Sequence, residues 1–520
     1  MLRITGIKMP INSTHEDLLK KTLSLLGVKN VTSFKISKKS IDARKKNDIV
    51  YVFNVDIETD KESELLKKVK NITRVEKKEY KFPVSKKSQS RPVIIGTGPA
   101  GLFAGLVLAQ NGYKPVLLER GASVEERTKQ VLSFWKSGEL NTETNVQFGE
   151  GGAGTFSDGK LTTGIKDFRI SKVLEEFVKF GAPEEILYLS KPHIGTDILK
   201  KVVLGIRNEI IKLGGEVLFN TKAEKIEIRD GKAFGVVAKS DGKQFLIPAE
   251  KIMLAIGHSA RDTFSMLYDM GVNMSQKPFS VGVRIEHLQE MINHTQYGEY
   301  AKYLSAADYK LSTHLENGRG VYTFCMCPGG FVVNASSEQG GVVTNGMSNF
   351  ARNEKNANSA VLVSVTPDDF KTTHPLAGIE FQKEIEKKAF LEAGGDYSMP
   401  IQTVGSLFKL SGETIKSIHP TILPKYKYCD LSNIFPGFII NSLKEGLKIF
   451  DKKIPGFMSL DAVLTAPETR SSSPVRIHRD ENHSTNISGL YSAGEGGGHA
   501  GGIISSAVDG IKTAELMTKE

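Results

Sequence analysis

This sequence contains three glycines spaced as G-x-G-x-x-G, a pattern that can bind a ligand through the backbone. They are Gly96, Gly98 and Gly101 of GTGPAG, which directly follows the apolar run VII. The first glycine permits a tight turn, the second lets a ligand approach the backbone, and the third lets a helix pack on the strand. Pro99 and Ala100 begin that helix, whose N-terminus carries a partial positive charge. The stretch therefore predicts a site for the pyrophosphate of a dinucleotide.

An acidic residue follows at the distance that such a site requires. Residues 115–118 (PVLL) predict a second strand, and Glu119 follows it, 23 positions after Gly96. In dinucleotide-binding units a carboxylate about 20 residues on accepts hydrogen bonds from ribose hydroxyls. Arg120 beside it is a second candidate contact. Strand, turn, helix, strand and acid together predict a dinucleotide fold, which could serve FAD or NAD.

The densest glycine segment of the chain is FGEGGAGTFSDGKL, at residues 148–161. It has neither helical nor strand periodicity. Small residues such as Gly154 allow close approach to a planar or phosphate-bearing ligand, and Thr155, Ser157 and Lys160 can donate hydrogen bonds. A surface glycine loop is the alternative, and a cofactor-binding loop is the favoured interpretation.

Two later stretches bear on the choice between FAD and NAD. Residues 251–257 (KIMLAIG) predict an apolar strand, and residues 489–496 (GLYSAGEG) predict another that ends in an acid. The glycine-rich start of a helix, GGHAGGIISSAVDGIKTAELM, comes next. The candidate cofactor contacts in these stretches are Gly257, Gly494, Glu495, Gly501, Gly502 and Ile503.

This set of motifs resembles the FAD-binding half of the glutathione-reductase-like flavoproteins. The resemblance implies that Glu495 lies near the ribityl chain and pyrophosphate, and that the last helix points its N-terminus at the flavin. It also implies that the glycine segment at 148–161 lines the flavin, and that the hairpin at 215–238 reaches the adenine through the backbone of Ala223. FAD is therefore expected, since an NAD-only dehydrogenase would not need the late strand and the C-terminal helix that follows it.

The chain as a whole resembles a more specific family, the uncharacterised FAD-dependent dehydrogenases of bacteria, which are NAD(P)/FAD-dependent oxidoreductases. The motifs that carry the resemblance are FGEGGAGTFSDGKL, KPHIGTD, FCMCPGG, TNGMS with NANSA, ETRSSSPVRI and GEGGGHAGGI. Ser472 departs from the threonine expected at its position. The resemblance implies FAD, oxidoreductase chemistry and a distinct FAD-dependent-protein domain in the C-terminal half, and it implies no substrate.

The candidates for catalysis are two cysteines and an arginine. Cys325 and Cys327 form C-x-C, and strand alternation predicts that the two thiols share one face. Two structural cysteines are favoured over a thiol pair that relays electrons to flavin, and a metal site is favoured least. Arg470 is a candidate to hold an anionic substrate or to stabilise reduced flavin, against a structural role in a hydroxyl-rich loop.

The elements that position these residues predict an α/β protein. We expect a two-part Rossmann-like FAD-binding domain, an inserted α+β substrate domain and a small ferredoxin-like N-terminal domain of β-α-β-β-α-β order. Its last strand is predicted at 75–82, and a polar linker at 83–90. The expected boundaries are 1–85 for the ferredoxin-like domain, 91–275 and 458–520 for the FAD-binding domain, and 276–457 for the inserted domain.

Length and composition bound the remaining alternatives. A chain of 520 residues, 39% hydrophobic and 25% charged, is a multidomain globular protein. Residues 1–91 carry 22 Lys+Arg and 11 Asp+Glu, which leaves the rest of the chain with a net charge of −1. The sequence shows no bilayer-spanning apolar run and no secretory signal, and three cysteines make no disulfide framework, so a cytoplasmic location is expected.

These observations predict an FAD-dependent oxidoreductase that transfers hydride between FAD and an unknown small-molecule or lipid-like substrate. No dedicated NAD domain is predicted, so NAD(P)H would act as a transient electron donor. The alternative is a flavin-carrying binding protein that docks RNA or a protein partner through its basic N-terminal domain, although few aromatics accompany the lysines. A flavin monooxygenase is a third hypothesis, and the oligomeric state stays open.

Overall fold

The computed structural model describes residues 1–76, 79–83, 90–412 and 415–519. Within these residues the strands form a five-stranded parallel sheet, a seven-stranded mostly antiparallel sheet and a four-stranded antiparallel sheet, with three smaller sheets between them. Helices cover the parallel sheet. The predicted α/β class is therefore confirmed.

The N-terminal unit is the four-stranded sheet with two helices packed on it. It comprises β1 (Leu2–Pro10), α1 (His15–Leu26), β2 (Ser33–Asp42), β3 (Val50–Glu58), α2 (Glu62–Lys68) and β4 (Ile72–Arg74). The strand order is β2-β3-β1-β4. Leu18 and Leu65 of the helices share a buried core with Val55 and Ile57 of the sheet, so one face of the sheet provides the packing surface.

The fourth strand lies earlier than the sequence predicted. The predicted strand covered 75–82, whereas in β4 Ile72 pairs with Ile4 of β1. Tyr80 and Phe82 instead pack their rings against the core of the second unit. Residues 77, 78 and 84–89, which hold part of the predicted strand and most of the predicted linker at 83–90, lie outside the described residues.

The second unit is built on short strands of buried apolar residues. It comprises β5 (Val93–Ile95), α3 (Pro99–Gln110), β6 (Val116–Leu118), α4 (Val124–Ser137), α5 (Arg169–Lys179), α6 (Gly195–Lys212), β7 (Glu216–Leu218), β8 (Lys222–Arg229), β9 (Lys232–Ser240), β10 (Lys243–Pro248), β11 (Ile252–Leu254), α7 (Arg261–Asp269) and β12 (Met274–Gln276). Parallel strands run in the order β11-β5-β6-β7, and β8–β10 form a separate antiparallel sheet. Short apolar strands of this kind are typical of a sheet covered on both faces.

The third unit carries the seven-stranded sheet, in the order β14-β15-β18-β13-β21-β19-β20. It comprises β13 (Phe279–Leu288), α8 (Gln289–Tyr297), β14 (Ser312–His314), β15 (Gly320–Cys327), β16 (Phe331–Asn334), β17 (Thr344–Met347), β18 (Asn356–Val365), α9 (Ala377–Glu392), β19 (Met399–Thr403), α10 (Val404–Leu407), β20 (Tyr426–Tyr428), α11 (Gly437–Lys453) and β21 (Val463–Glu468). Single 3-10 turns lie at Ala153–Phe156, Glu184–Leu187, Gly298–Tyr303, Pro367–Asp369 and Leu431–Asn433.

Strand β21 corrects one predicted boundary. The sequence assigned residues after 457 to the FAD-binding domain, but β21 pairs with β13 and β19 inside the seven-stranded sheet. Its six residues are all buried, which suits a central strand rather than a linker between domains. The third unit therefore extends at least to Glu468.

The chain then returns to the second unit. β22 (Val475–Ile477) pairs with β12, β23 (Leu490–Ser492) joins the parallel sheet beside β11, and α12 (Ile503–Lys519) packs on α3. A Cβ on Gly510 would lie 2.1 Å from the carbonyl oxygen of Ala100. A glycine at this position therefore lets α12 cross the first turn of α3.

The hairpin between β2 and β3 ties the N-terminal unit to both other units. Ile49, only 2% exposed, belongs to the hydrophobic core of the third unit. The backbone N–H of Lys39 donates to the Tyr188 carbonyl at 2.7 Å, and its carbonyl accepts from the Ser190 N–H at 2.9 Å. The N-terminal unit is therefore docked on the other two.

Candidate cofactor-binding site

A cavity of about 730 Å³ lies where the second and third units meet. At one end it is lined by residues at the carboxyl ends of β5, β6 and β11, and at the other by residues of β15 and β17. Ligands of open parallel sheets bind at this carboxyl edge. The volume falls within the range of about 300–1,000 Å³ that is usual for small-molecule sites.

The three glycines of the first turn differ in what surrounds them. A Cβ on Gly96 would lie 2.4 Å from the Ala255 carbonyl oxygen, and a Cβ on Gly101 would lie 1.9 Å from that of Gly96. A Cβ on Gly98 would meet only the Gly152 Cα, at 3.9 Å. Packing of the chain thus requires glycine at positions 96 and 101. The backbone of Gly98 is instead open to the cavity at the N-terminus of α3.

Glu119 sits in the cavity wall with its carboxylate already engaged. One oxygen accepts from the N–H and the hydroxyl of Thr97, at 3.0 and 2.7 Å. The other accepts from the N–H groups of Gly121 and Gly149, both at 3.0 Å. The carboxylate therefore ties three loops together at the cavity, and its contact with a ribose stays a prediction.

Arg120 lies beside it, over the ring of Phe148, with its guanidinium carbon 4.2 Å from the ring centroid. It pairs with Asp262 at 2.8 Å and with Glu143 at 2.8 Å. These carboxylates neutralise the guanidinium, so Arg120 contributes a flat side chain to the wall more than a free charge.

The acid of the last strand meets a histidine that the sequence analysis missed. Glu495 lines the cavity, and its Oε1 lies 3.1 Å from Nδ1 of His258. The turn before it is held by Asp509, whose carboxylate accepts from the Gly494 N–H at 2.7 Å. His258 directly follows Gly257, shortly after β11. This position beside a predicted cofactor contact is the feature of the sequence that could have identified it.

The glycine segment is held in shape by a buried arginine of α4 that the sequence analysis also missed. Arg127 is fully buried, and burial lowers its pKa to about 10, so it stays charged at neutral pH. It donates to five carbonyl oxygens at 2.7–3.2 Å. They belong to Asn145, Val146, Gly149, Glu150 and Gly152. One guanidinium thus fixes the backbone of the loop that faces the cavity.

The segment's own polar side chains bond mostly to the protein. The Ser157 hydroxyl donates to the Gly154 carbonyl at 2.6 Å, and Nζ of Lys160 donates to the Met326 carbonyl of β15. The Thr155 hydroxyl donates to the Glu150 carbonyl at 3.2 Å and lies outside the cavity lining. Lys160 therefore links the glycine segment to the third unit.

The glycine segment faces the start of α12 across a short distance. A Cβ on Gly154 would lie 3.3 Å from Cγ1 of Ile503. Added Cβ atoms on Gly501 and Gly502 would meet nothing within 3.4 Å. These two glycines leave open backbone at the end of the cavity, as Gly98 does.

A second cross-unit contact fixes the same loop. Asp158 accepts from Arg352 at 2.9 and 2.5 Å and from the Ser348 hydroxyl. Burial would raise the pKa of Asp158, but the cations Lys160 and Arg352 hold it below its usual range. This buried ion pair keeps the second and third units in register around the cavity.

The two cysteines lie at a bulge that the sequence did not predict. The register of β15 against β18 shifts between Phe324 and Cys327, and Cys325 has a φ of +42°. The bulge breaks the strand alternation from which a shared face was predicted, although both cysteines line the same cavity. Cys325 is exposed to the cavity and Cys327 is buried.

Both thiols are protonated at neutral pH. Protein encloses Cys325 on every side but the cavity, and this burial raises its pKa to about 12. Burial likewise raises the pKa of Cys327. Because the thiolate is the reactive form, these shifts favour neutral thiols over a nucleophilic pair.

Arg470 reaches the cavity wall, but protein groups occupy its guanidinium. It donates to Glu386 at 2.9 and 3.2 Å and to the Ser337 hydroxyl at 2.5 Å. Arg261 of α7 donates to the same Glu386 carboxylate. This buried cluster joins the second unit to the third, so a structural role suits Arg470 better than an anion site.

The structure brings most of the predicted residues to one cavity. Gly101, Thr155 and Gly494 are outside its lining and support it from behind. The predicted residues that line it are Gly96, Gly98, Pro99, Ala100, Glu119, Arg120, Gly154, Ser157, Lys160, Ala223, Gly257, Cys325, Cys327, Arg470, Glu495, Gly501, Gly502 and Ile503.

Two kinds of feature are absent from the described residues. They contain no group of three or more His, Cys, Asp or Glu side chains that could hold a metal ion. Among the same residues, none of the helices combines the length and the apolar character that spanning a membrane requires.

Comparisons with known proteins cover nearly the whole chain. A family model described as "FAD-dependent protein, C-terminal domain-like" matches residues 278–471, and one described as "Pyridine nucleotide-disulphide oxidoreductase" matches residues 90–273. A domain of unknown function matches residues 1–58. An uncharacterized protein of Clostridium beijerinckii is 50% identical over 530 residues, which cover 100% of this chain and 99% of that protein.

Solved structures are more distant. A geranylgeranyl bacteriochlorophyll reductase-like protein of Thermoplasma acidophilum is 10% identical with a TM-score of 0.38, over 83% of this chain and 78% of that one. L-proline dehydrogenase of P. horikoshii is 13% identical with a TM-score of 0.33, over 83% and 93%. Scores of this size do not establish a shared overall architecture.

Proposed function

Because this chain belongs to the family of FAD-dependent oxidoreductases that carry the FAD-dependent-protein C-terminal domain, we propose that it transfers hydride between FAD and an organic substrate in the cavity between its second and third units. The chain is an enzyme, and its cofactor is FAD. The placement of FAD, the substrate class and the roles of individual residues are the proposal.

The proposed placement of FAD rests on a set of glycines that packing within the protein does not require. Gly98, Gly501 and Gly502 have no packing reason to lack a side chain. All three line the cavity, at the N-terminus of α3 and at the start of α12. Backbone N–H groups at helix N-termini bind anionic phosphate groups. These residues fit a long ligand with a pyrophosphate in its middle.

We assign the roles along the cavity accordingly. The N-terminus of α3 holds the pyrophosphate, and Glu495 accepts hydrogen bonds from hydroxyls of the ribityl chain or ribose. Glu119, Arg120 and Ala223 line the adenosine end. The isoalloxazine ring lies between the glycine segment at 152–160 and the start of α12. Bound FAD supplies the group that accepts or gives the hydride.

The substrate enters on the side of the third unit. There the buried charges lie in matched pairs, Arg284 with Glu468 at 2.7 Å and Arg352 with Asp158 at 2.5 Å. Among the described residues, this wall offers no buried unpaired charge to hold an ionic group. We therefore propose an uncharged small-molecule or lipid-like substrate, which meets Cys325 as a neutral thiol able to hold a proton.

The domain assignment follows the same units. Residues 1–85 form the ferredoxin-like domain, 91–275 and 472–520 the two parts of the FAD-binding domain, and 276–471 the inserted substrate domain. The paired strands β12 and β22 lie at the two points where the chain passes between the FAD-binding domain and the inserted domain. A binding protein that uses the N-terminal unit as a free module is not supported, because Ile49 is buried in the third unit.

Cofactor identity and reaction class can be tested together. Purified protein should release FAD on denaturation, identified by chromatography, and its oxidised-flavin absorbance should bleach anaerobically with dithionite. Mixing with NADH and with NADPH under the same conditions then tests the nicotinamide as donor. Protein that retains FMN or no flavin after reconstitution would contradict the proposal.

A further inference from the structure

We propose that the basic face at the mouth of the cavity docks a small acidic electron-carrier protein, which reduces the FAD. The inference rests on the proposed function, because the carrier needs the FAD as its acceptor. In the balanced step, two reduced one-electron carriers are oxidised, and the FAD takes up two electrons and the accompanying proton.

The net positive charge of this protein comes from one part of the chain. Residues 1–91 carry a net charge of +11, while residues 92–520 sum to −1. A localised field of this kind steers an oppositely charged partner towards one surface. Whether a partner docked on that surface could pass electrons to the FAD therefore depends on how the surface lies relative to the cavity.

The basic hairpin lies next to the cavity mouth. Lys39 of β2 forms a parallel bridge with Leu189, two residues before Lys191. Lys191 is 69% exposed, lines the cavity and pairs with Asp308 at 2.8 Å. The hydroxyl of Tyr300 donates to the carbonyl of Asn47 at the hairpin tip, at 3.4 Å. Hairpin, mouth and third unit thus form one continuous surface.

This surface is predominantly positive. The segments 35–48, 188–191 and 298–310 contain nine Lys and Arg residues against four Asp and Glu residues. Lys38, Lys45, Lys46, Lys302 and Lys310 are exposed. Because Ile49 is anchored in the third unit, the end of the hairpin that carries Lys45 and Lys46 is held against that unit.

The mouth of the cavity lies next to the glycine segment at 152–160, which we propose contacts the flavin. The N–H of Leu161 donates to the carbonyl of Pro192 at 2.9 Å, and Lys160 bridges to His193. Lys191 therefore stands beside the end of the glycine segment. A carrier docked on the basic face would lie against the same wall as the flavin, with no need for a second dinucleotide-binding domain.

An acidic protein suits this face better than a nucleic acid does. Single-stranded nucleic acids are held by aromatic platforms on which bases stack. Here the ammonium of Lys39 lies 4.2 Å from the Tyr51 ring centroid and 6.0 Å from that of Phe53. Phe53 is buried in the core of the N-terminal unit, and Tyr51 and Phe34 pack against that core. The exposed groups are ammonium charges suited to surface carboxylates.

The test uses the full-length, FAD-loaded enzyme and reduced plant-type [2Fe–2S] ferredoxin of acidic isoelectric point as the probe. Lys45→Glu/Lys46→Glu changes the basic face, and Lys232→Glu/Lys243→Glu makes the same charge change on exposed lysines of the β9–β10 hairpin. Anaerobic flavin bleaching is followed by stopped flow at about 20 and about 300 mM salt, which shortens the Debye length severalfold.

We expect ferredoxin to reduce the wild-type flavin, with a second-order rate at low salt that falls about tenfold in Lys45→Glu/Lys46→Glu and changes less than about twofold in the control. High salt should remove the difference. Dithionite should reduce all three proteins equally.

Four outcomes would overturn the inference. Flavin that dithionite reduces but ferredoxin does not, or equal rates in both variants, would overturn the docking surface and leave the proposed function standing. Loss of oligouridine binding in Lys45→Glu/Lys46→Glu, with ferredoxin rates unchanged, would assign the face to RNA. A protein that binds no FAD would overturn the proposed function, and this inference with it.

Discussion

Nδ1 of His258 lies 3.1 Å from Oε1 of Glu495, and neither ring nitrogen of His258 has a hydrogen-bond partner among the described residues. His258 is 9% exposed and stands at the cavity wall. The two residues lie in the segments that follow β11 and β23, which are adjacent parallel strands. Since Glu495 faces the cavity, we propose that His258 acts through it as a positioning residue for FAD.

The first prediction concerns this pair. Glu495→Ala should weaken FAD binding about 10- to 100-fold, because a hydrogen bond to a charged group contributes about 1.5–3 kcal/mol. His258→Phe should weaken it less, about three- to tenfold, because the carboxylate stays but loses its support. Flavin fluorescence titration measures both, with the exposed His314→Phe as control. Wild-type affinity in Glu495→Ala would remove Glu495 from the site.

The second prediction concerns the buried guanidinium of α4. Arg127→Met should lower the free energy of unfolding by more than about 3 kcal/mol, because five carbonyl oxygens lose a charged donor inside the protein. Arg127→Lys should not rescue it, since an ammonium cannot reach all five. The melting temperature of FAD-free protein is the measurement. Lys129→Met on the same helix, 77% exposed in the wild type, should melt as the wild type does.

The third prediction concerns acid stability. Burial lowers the pKa of His287 to about 4 and that of His483 to about 4. Between pH 6.5 and 4 the unfolded chain therefore binds more protons at these histidines than the folded chain does. Their contribution to stability is complete above pH 6.5 and is lost as the pH falls through this window, by up to about 1.4 kcal/mol per pH unit for each histidine.

His287→Phe isolates one of these contributions. The difference in melting temperature between pH 7 and pH 5 should be smaller in this variant than in the wild type, while His314→Phe should leave the difference unchanged. The Nε2–H of His287 donates to the Phe457 carbonyl at 2.8 Å, so some loss of stability at pH 7 is expected. An unchanged pH dependence in His287→Phe would contradict the assignment.

The fourth prediction concerns the docking of the N-terminal unit. Ile49→Ala should destabilise the whole chain by about 2–4 kcal/mol, because it leaves a cavity in the core of the third unit. It should also make the β2–β3 hairpin more sensitive to limited proteolysis. Ile41→Ala on the same hairpin, 37% exposed in the wild type, is the control. Equal melting temperatures for both variants would mean that the unit is held by other contacts.

Much of this site was predictable because local rules govern it. The turn at Gly96, the helix α3 and the acid Glu119 follow one another within about 25 residues, and their order fixes their geometry. Glu495, which follows the late strand, could be assigned to the same site because the resemblance to glutathione-reductase-like flavoproteins implies that this acid lies near the cofactor. In both cases the chemistry and the secondary structure coincide in sequence.

The parts that were missed depend on partners distant in the chain. Arg127 reads as one more polar residue of an amphipathic helix, and only the folded loop shows the carbonyls that it binds. The bulge at Cys325 requires knowledge of its pairing with β18. Strand β4 is three residues long, and its pairing with β1 rather than its composition fixes where it lies.

FAD titration of Gly98→Val tests whether FAD occupies the cavity with its pyrophosphate over Gly98. The new side chain would meet no protein atom closer than 3.9 Å at its Cβ, so the fold should persist while the ligand's place is filled. Gly437→Val, at a glycine that also has no neighbour within 4 Å and lies at the start of α11, is the matched control.

We predict that Gly98→Val lowers FAD affinity at least about 100-fold, or about 2.7 kcal/mol, at an unchanged melting temperature of the FAD-free protein, while Gly437→Val binds FAD as the wild type does. Wild-type affinity in Gly98→Val would contradict the account, because FAD would then be bound elsewhere.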